Sequence, residues 1–307
     1  MRGLNLIPAG INIPFISKRM SFFVFSAVLV AASLILFVGR GLNYGIDFEG
    51  GIMIDVRTQG PADIAGMRDS LSGLGLGEVT LQEFGAPNDV LIRIQKQEGG
   101  DKAQGLAVEK VKAALGEGIE YRRTEFVGPK VSQELFWDGV KAVVAAMFAM
   151  LIYIWFRFEW QFGLGAVIAL IHDVVSTIGL FALLGLEFNL STVAAILTIA
   201  GYSINDTVVV YDRVRENLRK FKVLDMPELL NRSINETLSR TVMTSVTTLL
   251  ALLALYFLGG EVVRGFTFAM IWGVIIGTYS SICLAVPILL YLDVSHRPGA
   301  APAPETP

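Results

Sequence analysis

Six apolar runs punctuate the chain, at about Phe22–Val38, Gly139–Phe156, Phe162–Leu184, Leu190–Tyr211, Val242–Leu258 and Gly265–Leu290. A helix needs about 20 apolar residues to cross a bilayer core, range roughly 17–25, so each run reads as a membrane span. Lys18-Arg19 precede the first run as in a secretory leader. No small-x-small site followed by polar sequence closes it, and Leu34-Ile35-Leu36-Phe37-Val38 continues apolar, so it is expected to stay as an uncleaved span. Between the first and second runs the period changes. Residues 51–58 (GIMIDVRT) alternate as a strand, residues 61–75 repeat Ile64, Met67, Arg68 and Leu71 at helical spacing, and residues 78–84 and 89–95 alternate again around the turn signal Gly85-Ala-Pro-Asn88. Residues 101–116 place Leu106, Val108, Val111 and Leu115 on a helix that Gly116 stops, and residues 119–128 form a last strand. The order βαββαβ predicts a small α+β, ferredoxin-like domain between spans one and two.

The fold class is therefore an α-helical polytopic membrane protein with six transmembrane helices and an inserted α+β domain. The expected divisions are a tail 1–20, a first span 21–39, the extracytoplasmic domain 40–135, spans two to six within 136–293 with a loop 212–240, and a Pro/Ala-rich tail 294–307 expected to be disordered. In that loop, Asp225-x-x-Glu228 marks a helix start, and residues 227–240 run into the fifth span without a break. Arg2, Lys18, Arg19, Arg157 and the seven bases of 212–240 lie on one side, whereas the loops 185–189 and 259–264 carry only Arg264. The positive-inside rule makes the basic side cytoplasmic, with both termini on that side of the membrane. The arginines of 213–222 read as orientation signals first and partner contacts second.

The composition, 53% hydrophobic and 17% charged, agrees, since soluble domains hold about 25% charged residues. A net charge of −3 offers no basic surface to nucleic acid. The single cysteine, Cys283, cannot form an intramolecular disulfide, and with two histidines, His172 and His296, no metal cluster or cofactor site is expected.

What needs explaining is acid inside the spans. Asp206 lies in the fourth run, about 9 Å of helix inside Asp212 at roughly 1.5 Å per residue. A carboxylate cannot snorkel that far, and a central Asp costs about 2.5–3.5 kcal/mol on insertion scales. Tyr202 and Ser203 share its face, Asn205 is adjacent, and Gly201 permits close helix approach. The third run holds His172 and Asp173, with Ser176 and Thr177 a turn on. The fifth is expected to align Thr237, Arg240, Thr244 and Thr247 or Thr248 in one stripe. Asp206 is expected to pair with Arg240, and a carboxylate that alternates between that pair and an aqueous path can take up and release a proton. Against this, the pair can be a register-fixing structural contact, His172 a satisfied core histidine, Asp173 a partner for a neighbouring hydroxyl or backbone group, and the threonines helix-packing glue.

The segments "YGIDFEGG" (44–51), "VGPKVSQEL" (127–135), "HDV" (172–174), "GYSINDTVVVYDRVREN" (201–217) and "NRSINETLSRT" (231–241), in this order across six spans, resemble the SecF branch of the SecD/SecF protein-export family. That branch is similar to half of an RND-type transporter bundle. The resemblance implies a subunit rather than an enzyme. It would work with a separate SecD chain and the SecYEG channel, with YajC as a further candidate partner, on unfolded preprotein and in contact with membrane lipids. It implies proton-motive force as the energy source, with H+ as coupling ion. Asp206 would be the proton-path acid and Arg240 its partner; His172, Asp173, Asn205 and Thr244 are further relay candidates. It places Asp47, Phe48, Glu49, Gly50 and Gly51 at a hinge at the domain mouth. An RND-like exporter half, an intramembrane aspartyl protease and a purely architectural subunit stay as alternatives.

Overall fold

The computed structural model describes residues 11–292 and residue 294; of the tail expected to be disordered, Val294 is buried, and residues 295–307, His296 included, lie outside the described residues. Among the described residues, six helices are long and apolar enough to cross a membrane: Ile16–Arg40, Pro129–Arg157, Trp160–Leu184, Leu190–Lys220, Met226–Leu258 and Arg264–Tyr291. We label the regular helices α1 (Arg19–Arg40), α2 (Ile46–Glu49), α3 (Ile64–Ser72), α4 (Asp101–Leu115), α5 (Pro129–Arg157), α6 (Trp160–Leu184), α7 (Leu190–Lys220), α8 (Met226–Leu258) and α9 (Arg264–Ser280). The strands are β1 (Asn43–Tyr44), β2 (Gly51–Arg57), β3 (Val79–Phe84), β4 (Ala86–Ile94), β5 (Glu120–Val127) and β6 (Glu187–Phe188).

Several helices outrun the apolar segments that announced them. α5 starts at Pro129 and crosses residue 135 unbroken, and α7 and α8 leave only residues 221–225 between them where a loop of 212–240 was expected. A helix does not stop at a membrane surface when its polar extension still has a face to bury: Val214 and Asn217 of α7, and Leu229, Leu230 and Ile234 of α8, are buried. α8 does run unbroken into the fifth span, with Pro227 in its first turn, but the Asp225 side chain makes no capping bond.

The bundle has an inner and an outer set of spans. In the third, fourth and sixth, 56%, 50% and 72% of the apolar window is buried; in the first, second and fifth, 11%, 6% and 11%. Small residues on the inner helices let their neighbours approach. A Cβ on Gly273 of α9 would overlap Ile199 of α7, and one on Gly179 of α6 would overlap Ser33 of α1.

The sixth span changes geometry part-way. After α9 comes a π-helical turn, Ser281–Ala285, just before Pro287. Pro287 has no N–H to return to the carbonyl a turn earlier, so the ladder must widen there. The buried Tyr211 hydroxyl donates to the Ala285 carbonyl at 3.0 Å, satisfying one backbone acceptor of that irregular stretch.

Between α1 and α5 lies a four-stranded antiparallel sheet in the order β3-β4-β2-β5. The β3–β4 turn is tighter than Gly85-Ala-Pro-Asn88 suggested: Gly85, at φ 86°, carries it alone and pairing resumes at Ala86. Ile52, Ile54, Val56, Val90, Ile92 and Ile94 pack one face of the sheet against Met67 and Leu71 of α3 and Ala107, Val108 and Val111 of α4. Leu106, expected inside, is exposed; Ala107 takes the inward position. The other face is polar. Arg57 donates to both Asp89 oxygens at 2.6 and 2.8 Å, and Arg122 reaches Asp89 at 3.4 Å.

This domain is tied to the bundle at one corner. β1 and β6 pair in parallel. Arg93 of β4 donates to Asn43 at 3.0 Å and forms an ion pair with Glu187. Tyr44, Phe48, Phe136 and Phe188 pack edge-on or tilted around the joint, with centroids 5.8–6.2 Å apart.

Candidate functional site

Two carboxylates occupy the middle of the bundle. Asp173 is wholly buried and Asp206 is 8% exposed. They sit on neighbouring inner helices, α6 and α7, and the sixth span closes over both. Ser280 donates to Asp173 Oδ2 at 2.7 Å, and the next residue, Ser281, donates to Asp206 Oδ2 at 2.5 Å. Adjacent residues on a helix point about 100° apart. The π-helical turn begins at Ser281, where the hydroxyls of two consecutive residues reach two acids on different helices. Such turns recur at functional sites.

Each acid has further partners. Asp173 Oδ2 also accepts from Ser203 of α7 at 2.6 Å, and its Oδ1 lies 3.0 Å from Nδ1 of His172. The hydroxyls of Ser176 and Thr177 turn back to the Asp173 carbonyl and leave the carboxylate alone. Asp206 Oδ1 accepts from Thr241 of α8 at 2.8 Å. An ionised carboxylate offers about four acceptor positions. Asp173, with three partners, is the more saturated, and Asp206, with two neutral donors, keeps the larger free capacity. His172 has Nε2 buried without a hydrogen-bond partner, and its ring lies against Tyr279, centroids 6.0 Å apart. Tyr279 in turn contacts the Ser26 hydroxyl at 3.0 Å and donates to the Phe22 carbonyl at 2.9 Å on α1.

Three expectations need correction. Arg240 forms no ion pair with Asp206: it is exposed on α8 and acts on the carboxylate only through space. The polar stripe facing inward is Thr237, Thr241 and Ser245, not Thr237, Arg240, Thr244 and Thr247 or Thr248; Thr244 and Thr247 are exposed and bond their own helix, and Thr248 is half-buried. Spacings of three and four fit both registers equally, and only packing against α7 and α9 chooses between them. Asn205 is exposed too, beside the exposed Gly201. These outward residues, with Arg240, leave α7 and α8 with polar exposed positions at membrane depth.

The mouth residues are brought together with the fourth span. Asp47 Oδ2 accepts the N–H of Leu190, the first residue of α7, at 2.9 Å. Asn189 caps the same helix, accepting from Thr192 N–H at 3.1 Å in a reciprocal capping box. Gly50 ends the short helix α2 at φ 75°, and Gly51 starts β2 at φ 117°.

The family model for the C-terminal part of the protein export membrane proteins SecD/SecF matches residues 107–295, and that for the SecD/SecF GG motif matches residues 35–62. The chain belongs to the SecD/SecF protein-export family. It is 48% identical to the protein translocase subunit SecF of Rhodobacter capsulatus, over 96% of this chain and 93% of that protein, and 47% identical to the SecF of Rickettsia akari, over 93% and 94%. Among solved structures it is similar to SecDF, a translocon-associated membrane protein from Thermus thermophilus, at a TM-score of 0.85 and 37% identity over 93% of this chain. Against SecDF in its super-membrane-facing form the TM-score is 0.69 at the same identity. The chain spans 39% of the length of the SecDF chain.

Within this family frame, the residues that sequence reasoning missed are Ser280 and Ser281. Their signal was present as the polar run Thr278-Tyr279-Ser280-Ser281 inside the sixth apolar segment. Uncharged hydroxyls there read as packing residues until the partner acids on other helices are seen.

Proposed function

We propose that the chain is the SecF-type subunit of a protein translocase. It joins a SecD-type partner and uses the proton-motive force to promote late preprotein movement through a SecYEG channel, with Asp206 as the group that takes up and releases the proton. The observation that carries this reading is the buried Asp206 held only by neutral hydroxyls, Thr241 and Ser281, with the cation Arg240 nearby but unbonded. One charge crossing the membrane releases about 2.3 kcal/mol per 100 mV, enough to exchange one hydrogen-bond arrangement for another. Loading Asp206 removes its charge and loosens its hold on α8 and the sixth span; unloading restores it. Ser280 and Ser281 link Asp206 to the His172–Asp173 pair, which serves as a second station. Arg240 stands ready as the counter-charge when α8 turns. In this reading the α+β domain and its mouth lie outside the inner membrane, and both termini are cytoplasmic. The polar exposed positions of α7 and α8 support a partner helix bundle on that flank, since such positions are unfavourable against lipid.

The test uses the assembled complex with its SecD-type partner in proteoliposomes under an imposed proton gradient. Asp206→Asn keeps the shape and one acceptor oxygen but cannot ionise. Gradient-dependent preprotein release is expected to vanish while the complex still assembles. Normal release by that variant would leave the subunit with an architectural role only.

A further inference from the structure

We propose that the end of the bundle remote from the sheet domain carries a binding site for the phosphate headgroup of an anionic phospholipid. A cavity of about 460 Å³ opens there, lined by Arg157, Asp212, Arg215, Glu216, Arg219 and Lys220. Its charges do not cancel locally. Arg157 donates from one nitrogen to both Asp212 oxygens, at 2.7 and 2.8 Å, and consumes that acid. Glu216 is taken by Arg213, which lies outside the cavity, at 2.9 Å. Arg215, Arg219 and Lys220 then have no carboxylate partner among the described residues. Arg215 is fixed: it donates to the Arg157 carbonyl at 3.1 Å, and both guanidinium carbons lie over the Phe158 ring, at 5.3 and 5.0 Å. An ordered guanidinium beside two exposed cations presents a planar fork and two adjustable charges, the donor set that suits a phosphodiester.

Depth selects the source of the phosphate. Counted from Leu190 at the opposite membrane end, Asp212 to Lys220 lie about 33–45 Å along α7 at roughly 1.5 Å per residue. A hydrocarbon core about 30 Å thick, or about 40–45 Å with its headgroups, puts that stretch at headgroup level. The surface beside the cavity is built for acyl chains. Trp155, Phe156 and Trp160 flank Arg157 and are 72%, 89% and 61% exposed, as an interfacial aromatic collar would be. Further along α5, Val144 and Phe148 continue the exposed apolar surface. This face differs from the polar exposed positions on α7 and α8, so lipid rather than a protein helix is its occupant. Basic pockets between membrane helices bind acidic headgroups by this chemistry.

Native mass spectrometry of the full chain tests it, with phosphatidylglycerol and phosphatidylcholine of matched acyl chains as probes. The wild type is expected to retain phosphatidylglycerol preferentially. At about fivefold per cation near an anionic lipid, Arg219→Gln with Lys220→Gln lowers that preference roughly 25-fold. Arg219→Lys, which keeps the charge, and Lys110→Gln, on the exposed side of α4, leave it unchanged. An unchanged preference in the double variant overturns the proposal. So does displacement of the lipid by millimolar inorganic phosphate, which marks a soluble-anion site, or by polyglutamate, which marks a dock for an acidic protein.

Discussion

At Gly51 the backbone leaves no room for a side chain, and Gly51→Ala gives a sharp test of how the domain mouth is built. Gly51 sits at φ 117°, a conformation rarely open to L residues, and holding Ala there costs about 1–3 kcal/mol. A Cβ would also lie 2.5 Å from the Ile94 carbonyl oxygen and 3.3 Å from the Lys96 nitrogen. Both atoms are backbone and cannot rotate away, so β2 must lift from β4 at the Ile52–Ile94 pair, losing about one hydrogen bond, worth roughly 1 kcal/mol. The sum is about 2–4 kcal/mol, a large share of the ~5–15 kcal/mol that holds a domain together. Gly50 differs. It sits at φ 75°, and a Cβ there would stand 3.2 Å from its nearest neighbours, the Val127 oxygen and the Ser132 hydroxyl. Its ψ of 175° lies outside the left-handed helical region that Asn visits, so Gly50→Asn is expected to cost about 1–3 kcal/mol in backbone strain but without the added collision with a neighbouring strand. Amide hydrogen exchange on the full chain, read by mass spectrometry over β2 and β4, measures the difference. At tenfold per 1.4 kcal/mol, Gly51→Ala accelerates exchange of the best-protected amides roughly 30- to 700-fold. Exchange within twofold of wild type in that variant would refute the claim that the second glycine is required by its contact with β4.

Four more outcomes follow from the geometry. Ser281→Ala and Thr241→Val each remove a hydroxyl donor from Asp206 and are expected to lower thermal stability by about 1–3 kcal/mol, whereas Arg240→Lys, with no direct bond to lose, stays within about 0.5 kcal/mol; calorimetry in detergent separates them. Asp47→Ala strips the acceptor from the first N–H of α7 and is expected to cost about 1 kcal/mol, while Asp47→Asn keeps the bond and loses only the favourable charge, roughly 0.3–1 kcal/mol; unfolding in graded denaturant ranks the two. In the sheet domain, Arg57 holds the Asp89 carboxyl below the usual carboxylate range. Its stabilisation is therefore complete above about pH 4 and is lost as pH falls through the lowered value, so protease resistance of the domain should fall on acidification in the wild type and much less in Asp89→Asn. Burial shifts Asp55 the other way, upward, and its Oδ1 has no partner. Its protonated form favours the fold, that contribution fades as pH rises through the raised value, and Asp55→Asn should gain resistance at neutral pH.

The spans were legible because a bilayer imposes a length and a composition that few other environments do, and the sheet domain because its strands alternate. What composition cannot show is where a helix ends when it leaves the membrane with a face still to bury, and α5, α7 and α8 all run on in that way. Asp206 and Asp173 stood out as acids in apolar runs, with His172 and Ser203 beside them; Ser280 and Ser281 did not. Thr241 was confused with Thr244 because i+3 and i+4 spacings draw two stripes on one helix. Ser280 and Ser281 are recruited by a widening of the sixth span ahead of Pro287. The one-turn α2, the parallel β1–β6 pair and the Asp47–Leu190 bond join residues 143 or more apart in sequence or depend on such contacts, and no periodicity reports them.

α7 gives the mouth motif and the buried acid a common body. Its first N–H is held by Asp47, its start is capped by Asn189, and Asp206 sits sixteen residues along, about 24 Å at roughly 1.5 Å per residue. A continuous helix of this length transmits displacement of one end to the other, whereas the sheet domain reaches the bundle otherwise through the short β1–β6 pair, the Arg93 bonds and the aromatic cluster around Phe48. If charge on Asp206 governs how α7 packs against α8 and the sixth span, the same event moves the seat of Asp47. A relay subunit therefore requires that Asp47→Ala weaken gradient-dependent preprotein release even though it lies far from any proton. A purely architectural subunit requires only that the variant assemble. Measuring release at equal amounts of assembled complex separates the two, and full release by Asp47→Ala would break the mechanical link between mouth and acid.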